Sequence, residues 1–350
     1  MSTEEHQDPV ATESVAVCIV TWNSADDLPS CLDAVAALDY PVLSVVVVDC
    51  ASDDDSVAVA RHHGRGDGRH EVEVIALGEN RGFAGGMNAA FDAAAARGAR
   101  WVLTLNPDAQ PAPDFVTRLL KRAWRHERVG AVTGRLVRPA VPGEEVRLDA
   151  CGMVLRRAWR HLDRGSDEVD RGQYATSAEV FGATGAACLY ALNALDDVAF
   201  PDGARFDPLF HSYREDAELC FRLRSRGWRV LYEPTARCLH RRGVLPRNRS
   251  EQSAIVNYHS LKNRYLLRAY HQSAGNFLRT LPWTLARDLL ALGYVVLRER
   301  TSIAAYPWLW RHRHTILARR RWLRARRTEP FEEWFRHHEV ALHDFTTTLD

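Results

Sequence analysis

VAVCIVTWNSADDLPSCLDAVAALDYPVLSVVVVDC, residues 15–50, decides the fold class. Val15–Val20 is a β-branched apolar run of strand length that ends at the turn formers Asn23 and Ser24. Leu28, Leu32, Val35 and Leu38 then recur at helical spacing, predicting a helix over about 26–38 that Tyr40-Pro41 stops. LSVVVVD (43–49) follows with no polar alternation, as expected of a strand covered on both faces. Strand, helix, strand within so short a stretch is a βαβ unit, whose strands run parallel.

The pattern continues outward. Ser56–His63 reads as a helix, Gly64–Gly68 as a glycine-rich loop, Glu71–Leu77 as a third strand, Gly86–Arg97 as an Ala-rich helix and Trp101–Leu105 as a fourth strand. A mostly parallel sheet with helices on both faces is the expected architecture. Functional groups in such sheets gather beyond the carboxyl ends of the strands. Thr21-Trp22-Asn23, Asp49, Asn80-Arg81 and Asn106-Pro107-Asp108 all follow strand ends. Shorter strands and polar loops fill 128–190, a less regular stretch. Glu215–Arg226 then reads as a helix with Leu219 and Leu223 buried, ended by Gly227, and two strands follow, Trp228–Tyr232 and Ala236–His240.

Composition narrows the class of function. Lys+Arg 46 against Asp+Glu 45 gives a net charge of +1, which selects no nucleic-acid partner. Seven cysteines without a CxxC pair argue against a zinc ribbon or a disulfide scaffold and fit a reducing compartment. Residues 1–13 read as a polar, acidic, disordered leader with no secretory signal. The longest apolar run, Leu289–Leu297, falls far short of the ~20 residues that span a bilayer. A cytoplasmic protein, peripheral on the inner face of the membrane, is expected.

Five segments, VAVCIVTWNS, VVVVDCASDDDS, GENRGFAGGMNAA, VLTLNPDA and FDPLFHSYREDAELCFRLRSRGW, together resemble the family-2 glycosyltransferases of GT-A fold, and among them bacterial rhamnosyltransferase-like and galactofuranosyltransferase-like members. They fall in the family's order across roughly 15–240. The resemblance implies a catalytic domain at 14–240; the composition shifts at about Arg241 and helical apolar spacing follows, so a helical C-terminal region is expected at 241–350. The resemblance further implies a metal-dependent, inverting enzyme that moves rhamnose or a similar sugar from a dTDP- or UDP-sugar to a glycan or polyprenyl-linked acceptor, in cell-surface polysaccharide synthesis. Two rivals stand beside it: a sugar nucleotidyltransferase, which would need a Gly-rich loop with Arg and Lys after the first strand, and a non-catalytic scaffold of the same fold.

The resemblance also assigns residues. Thr21 and Asp49 fall to the nucleoside, because a carboxylate can accept the imide N–H of uracil or thymine, and Asn23 and Ser52 to the nucleotide-sugar more generally. Asp49 would equally cap the next turn through Ser52 and Asp53. Asn80, Arg81, Gly82 and Asn88 fall to the donor, with glycines admitting the diphosphate and Arg81 and the helix N-terminus favouring negative charge. A tight turn with a solvated Arg81 and a surface Asn88 are the plain alternatives.

Asn106 and Asp108 fall to the donor, and Asp108 with His240 to a divalent cation, Mg²⁺ or Mn²⁺. The family's usual pair of acids one position apart is broken here by Asn106, and Asn-Pro-Asp is also an ordinary turn. Asp216 falls to the general base that takes the acceptor's hydroxyl proton, with Glu215 and Gly185 on the acceptor side. Acids in a first helical turn also favour the macrodipole, and Glu218 is placed to pair with Arg222.

Beyond Arg241, Ala254, Tyr258, Leu261, Tyr265 and Ala269 keep helical spacing, and Arg311–Arg327 holds eight arginines and no acid beside Trp308 and Trp310. Basic helices with Trp suit an anionic membrane surface. Packing on the catalytic domain, or on a partner in an oligomer, explains the apolar stripe equally well.

Overall fold

A computed structural model describes residues 13–41, 43–64, 70–243 and 253–335. The leader lies outside them except for Glu13, which is buried, accepts a hydrogen bond from Tyr40 Oη at 2.6 Å and pairs with Arg100. Most of the Gly64–Gly68 loop also lies outside the described residues.

The first half follows the expected alternation: β1 (Val15–Thr21), α1 (Leu28–Ala36), β2 (Leu43–Asp49), α2 (Ser56–His63), β3 (Glu71–Ala76), α3 (Gly82–Ala96) and β4 (Trp101–Leu105). β1 pairs in parallel with both β2 and β4, and β2 with β3. Next come β5 (Ala109–Pro111), α4 (Phe115–Trp124), β6 (Val129–Val137), β7 (Leu148–Ala150), β8 (Met153–Arg156), β9 (Arg160–Asp163), β10 (Ala178–Glu179) and β11 (Ala187–Ala191). After α5 (Leu192–Val198) and α6 (Glu215–Ser225), the sheet is completed by β12 (Arg229–His240). The order across it is β10-β12-β6-β11-β4-β1-β2-β3, with β11 antiparallel to both neighbours. The two strands expected over 228–240 are one, bent by a register irregularity between Glu233 and Arg237.

Each face of the sheet carries a core. α1 and α4 bury Leu28, Leu32, Phe115 and Leu119 on one side, and α3 buries Met87, Phe91 and Ala94 on the other. α3 can lie close because Gly86 has no side chain; a Cβ there would stand 2.8 Å from Val20 and Cys50. All seven cysteines are buried and free.

α6 is sunk in the body almost along its whole length. Glu218 takes Arg222 Nε on both carboxylate oxygens at 3.0 and 2.8 Å, the expected pairing, and also meets His271 Nε2 at 3.2 Å. Arg222 completes its valence on the carbonyls of Val198 (2.6 Å) and Arg205 (2.5 Å). Glu218→Ala would leave a buried guanidinium without its counter-charge, and a loss of about 3 kcal/mol is expected. Urea unfolding followed by circular dichroism measures it.

α7 (Ala254–His271), α8 (Ala274–Leu297), α9 (Ala305–Arg311) and α10 (Arg313–Arg326) form the helical C-terminal region. The packing explanation accounts for much of its basic character. Arg319 pairs with Asp202 and Asp207, Arg320 donates to the Ala269 and Gln272 carbonyls, Arg326 to the Asp197 carbonyl, and Arg327 pairs with Glu332. Half of the arginines read as a membrane-facing run are therefore spent on the protein itself. α7 is also turned inward. Lys262 Nζ donates to Leu209 O at 2.6 Å, and Asn263 Nδ2 lies within 2.9 Å of the carbonyls of Phe210, Ser212 and Tyr213. These bonds hold the loop that leads into α6, where His211, Tyr213 and Arg214 all adopt positive φ.

Candidate active site

At the sheet's carboxyl edge, Thr21 and Asp49 are register partners on β1 and β2. Asp49 Oδ1 accepts from Ser52 Oγ at 2.5 Å and Oδ2 from Ser52 N at 3.0 Å. Ser52 Oγ in turn accepts from Asn23 N at 2.8 Å, and Asn23 Oδ1 from Asp53 N at 2.8 Å. Thr21, Asn23, Asp49 and Ser52 thus form one wall. The carboxylate caps its turn, as the alternative reading had it, and each of its oxygens retains a further lone pair. Thr21 is fully buried, and its hydroxyl finds no partner among the described residues.

The glycine-rich segment packs against the loop before α6. α3 begins at Gly82, four residues earlier than periodicity suggested. Its first amides are already taken: Phe83 N donates to Ser212 Oγ at 3.1 Å and Ala84 N to His211 O at 2.9 Å. Gly82, at φ 66°, lies so close to His211 that a Cβ would sit 2.5 Å from its ring. Here the glycine admits the 211–212 loop, and Asn80 Oδ1 accepts from Gly82 N at 2.8 Å. Arg81, half exposed, pairs with Glu79 at 3.1 Å at the mouth of this segment. Asn88 stands apart from the others. Its Nδ2 donates to Phe206 O at 2.8 Å, and its Oδ1 accepts from the amides of Arg205 (3.2 Å) and Phe206 (2.8 Å), so the amide is spent on backbone.

Asp108 and His240 do converge. β5 pairs with the end of β12, placing Ala109 opposite His240, and Asp108 Oδ1 lies 3.2 Å from His240 Nε2. The Asn106 amide is 3.3 Å from the same nitrogen. The opposite ring nitrogen, Nδ1, is 2.7 Å from Asp149 Oδ2, a fully buried carboxylate on β7 that sequence reading did not identify. Arg242 binds this cluster together. Its backbone N–H donates to Asp108 Oδ2 at 3.0 Å, its Nε lies 2.7 Å from Asp149 Oδ1, and it also pairs with Asp163 on β9. Burial alone would lower the His240 pKa, but Asp108 and Asp149 raise it to about 9. Burial would raise Asp108, yet His240 and the Arg242 amide bring it below the usual carboxylate range.

The donor set fits a cation that takes most of its ligands from elsewhere. One carboxylate and one imidazole nitrogen, the latter oriented through its far nitrogen by a carboxylate, is a recurrent metal arrangement. Among the described residues no group of three or more His, Cys, Asp or Glu side chains stands ready to hold a metal. Substrate oxygens or water would have to complete the shell, and His240 must shed its proton to ligate.

Asp216 sits in the first turn of α6. Gly185 N donates to its Oδ2 at 3.1 Å and Ala217 N to its Oδ1 at 2.7 Å. Burial and then the Asp163 carboxylate raise its pKa to about 6, against those two amides and Arg242. Glu215 beside it is pushed well above the ordinary carboxylate range by burial and by Asp216. The two Asp216 oxygens are thus aimed by backbone amides, and the group titrates close to neutrality, where a general base is most effective. Cavities of about 340 and 400 Å³ lie elsewhere, one lined by Arg268, Gln272 and Phe277 and the other by Arg118 and Arg237.

A model described as glycosyl transferase family 2 matches residues 16–194, just over half of the chain. The chain belongs to that family and is a glycosyltransferase. It is 27% identical over 307 residues to an N-acetylglucosaminyl-diphospho-decaprenol L-rhamnosyltransferase of Mycobacterium tuberculosis, covering 82% of this chain and 94% of that one. A shorter match, 36% over 110 residues, is to the succinoglycan biosynthesis protein ExoO of Rhizobium meliloti, covering 31% of this chain and 29% of that one. Among solved structures, the mannosyltransferase PcManGT from Pyrobaculum calidifontis, in complex with GDP-Man and Mn²⁺, superposes with a TM-score of 0.51 at 20% identity, covering 93% and 84% of the two chains. S. aureus TarS 1–349 does so at 0.51 and 17%, covering 92% and 89%. These likenesses establish the GT-A fold, and the family match sets the nucleotidyltransferase alternative aside.

Proposed function

We propose that the chain transfers a deoxyhexose such as rhamnose from a dTDP- or UDP-sugar to a hydroxyl of a lipid-linked glycan, with inversion, in the building of a cell-surface polysaccharide. The observation that supports this best is Asp216, held by Gly185 and Ala217 amides and lying in the electrostatic field of the Asp163–Arg242 pair, whose Arg242 amide also binds Asp108. The decaprenol-linked acceptor named for the mycobacterial relative, which aligns along most of both chains, supports the acceptor class.

In this reading the wall of Thr21, Asn23, Asp49 and Ser52 receives base and ribose. Asp108 and His240 hold a divalent cation, Mn²⁺ or Mg²⁺, with Asp149 orienting the imidazole. When bound, the cation supplies positive charge to the departing diphosphate. Asp216 accepts the proton of the acceptor hydroxyl as its oxygen bonds to the anomeric carbon and the bond to the diphosphate breaks. One base and no covalent intermediate give inversion, unlike the paired carboxylates of retaining glycosidases. Incubation with a panel of nucleotide sugars and a polyprenyl-diphosphate glycan tests the reading. Release of dTDP or UDP that depends on acceptor supports it; release from none of the panel removes the proposed donor and acceptor.

The acid limb of kcat/KM should follow Asp216. A base raised to about 6 is ionised above that pH, so activity should rise through pH 6 and fall about tenfold per unit below it. Asp163→Asn removes a neighbouring negative charge that raises Asp216, so the limb should move to lower pH. A pH–rate profile of both proteins measures the two effects.

A further inference from the structure

From its geometry α8 is an amphipathic helix turned inside out. Its packed stripe is largely polar: Asn276, Thr280 and Thr284 are buried, and Asp288 pairs inward with Arg264 and Arg268, each at 2.6 Å. Its outer surface is apolar. Of the 19 exposed large hydrophobic side chains among the described residues, 10 lie on this helix, among them Leu285, Leu289, Leu290 and Leu297, which is 75% exposed. That concentration far exceeds the scattered exposure a water-facing helix carries, and marks a contact surface.

What covers the face is decided by charge. Between Thr280 and Leu297 the only charged residues are Arg287 and Asp288, both on the partly buried side. The apolar stretch is bracketed by exposed Arg279, Arg298 and Arg300. From Ala274 to Thr328 the sequence has two acids, Asp288 and Glu299; the first is ion-paired inward and the second is buried. A second copy laid antiparallel on the same face would bring these cationic ends against each other. An anionic lipid surface offers acyl chains to the leucines, headgroup phosphates to the arginines, and an interface in which Trp283 and Tyr294 sit well. None of the described helices is long and apolar enough to cross a bilayer, so α8 would lie in the interface plane.

We infer that α8 is a membrane-docking helix that beds its outer face in an anionic bilayer surface. The inference deepens the proposed lipid-linked acceptor and rests on it for its purpose. The start of α8 is tied to the β8–β9 hairpin, where Trp159 Nε1 donates to Asn276 Oδ1 at 2.6 Å and Arg157 stacks over Trp283 at 5.3 Å. The same hairpin ends at Asp163, the partner of Arg242 and neighbour of Asp216. A bilayer under α8 would present a headgroup-linked glycan on the hairpin side of the site. The sequence pointed to the arginine-rich 311–327 segment for this role; the structure moves it to α8.

The test is co-sedimentation of the full chain with phosphatidylcholine vesicles containing about 30% phosphatidylglycerol, and with phosphatidylcholine alone. Wild type should bind the anionic vesicles, less so as salt rises. Leu285→Glu/Leu289→Glu, at exposed positions that leave the fold intact, should weaken binding by about tenfold or more. Arg321→Gln/Arg324→Gln should weaken it much less. Nucleoside-diphosphate release with a short water-soluble acceptor should be equal in all three, which shows that each is folded. If the leucine variant sediments like wild type, or wild type is a dimer that the variant splits while neither binds vesicles, the inference fails. Vesicle binding as expected with no nucleoside-diphosphate release from any protein would instead overturn the catalytic reading and leave the docking surface standing.

Discussion

Asp216→Asn is expected to lower kcat by about 10²–10⁴ while leaving donor binding near its wild-type value. The amide is nearly isosteric with the carboxylate, and its oxygen can still accept from Gly185 N, while its Nδ2, a donor, gives up the bond from Ala217 N. What it loses is the ability to take a proton. The acceptor hydroxyl must shed that proton as its oxygen bonds to the anomeric carbon. Glu215 is buried, is pushed toward its neutral form by that burial and by Asp216, and has one oxygen without a partner among the described residues. Glu215→Gln should therefore change turnover far less than Asp216→Asn. Steady-state kinetics at saturating donor, with isothermal titration of the donor nucleotide, separate the two effects. Wild-type kcat in Asp216→Asn would remove the base assignment and leave the fold and the family untouched.

How far the sequence could carry this depends on the range of the interactions. β1, β2 and β4 were legible because strands covered on both faces must be apolar throughout, a local signal. The Glu218–Arg222 pair was legible because the helix itself brings i and i+4 together. Asp149 was not, since a lone acid between Leu148 and Ala150 shows nothing of the His240 that lies 91 residues away in sequence. The glycines at 82–86 were read for a diphosphate, and their small size was apparent. That Gly82 also makes room for His211 and Gly86 for Val20 and Cys50 depends on long-range contacts that no local pattern shows. β12 looked like two strands because Glu233-Pro234-Thr235 interrupts its apolar pattern, yet Glu233 accepts from Thr235 N at 3.1 Å and the strand runs on. The arginine-rich segment shows the same limit, since the groups that take Arg319, Arg320 and Arg326 lie far off in sequence. A charge run looks solvated until its long-range acids and carbonyls are found.

Stripping divalent cations is expected to abolish transfer, and returning Mn²⁺ or Mg²⁺ to restore it. The site is poor in side-chain ligands of its own. Asn106 replaces the first acid of the family's usual pair, leaving Asp108 and His240 as the side chains that converge. Without a cation these two neutralise each other, with the imidazole held by Asp149 behind it. A nucleoside diphosphate entering beside them brings two or more negative charges that this cluster alone cannot balance, since Arg242 is already engaged by Asp149 and Asp163. Donor and cation should therefore bind together, each weakly without the other, and titrations of Mn²⁺ with and without the diphosphate should show this coupling. Asp108→Ala should reduce metal-dependent donor affinity strongly while leaving affinity for the free nucleoside near wild type. Asp149→Asn keeps the shape of the strand but loosens the imidazole, and a loss of about 10–100-fold in Mn²⁺ affinity measured with the diphosphate present is expected. Full activity in excess chelator would remove Asp108 and His240 from any metal role. The cluster would then have to be read as a purely structural clasp that closes the end of β12 onto β5 and β7.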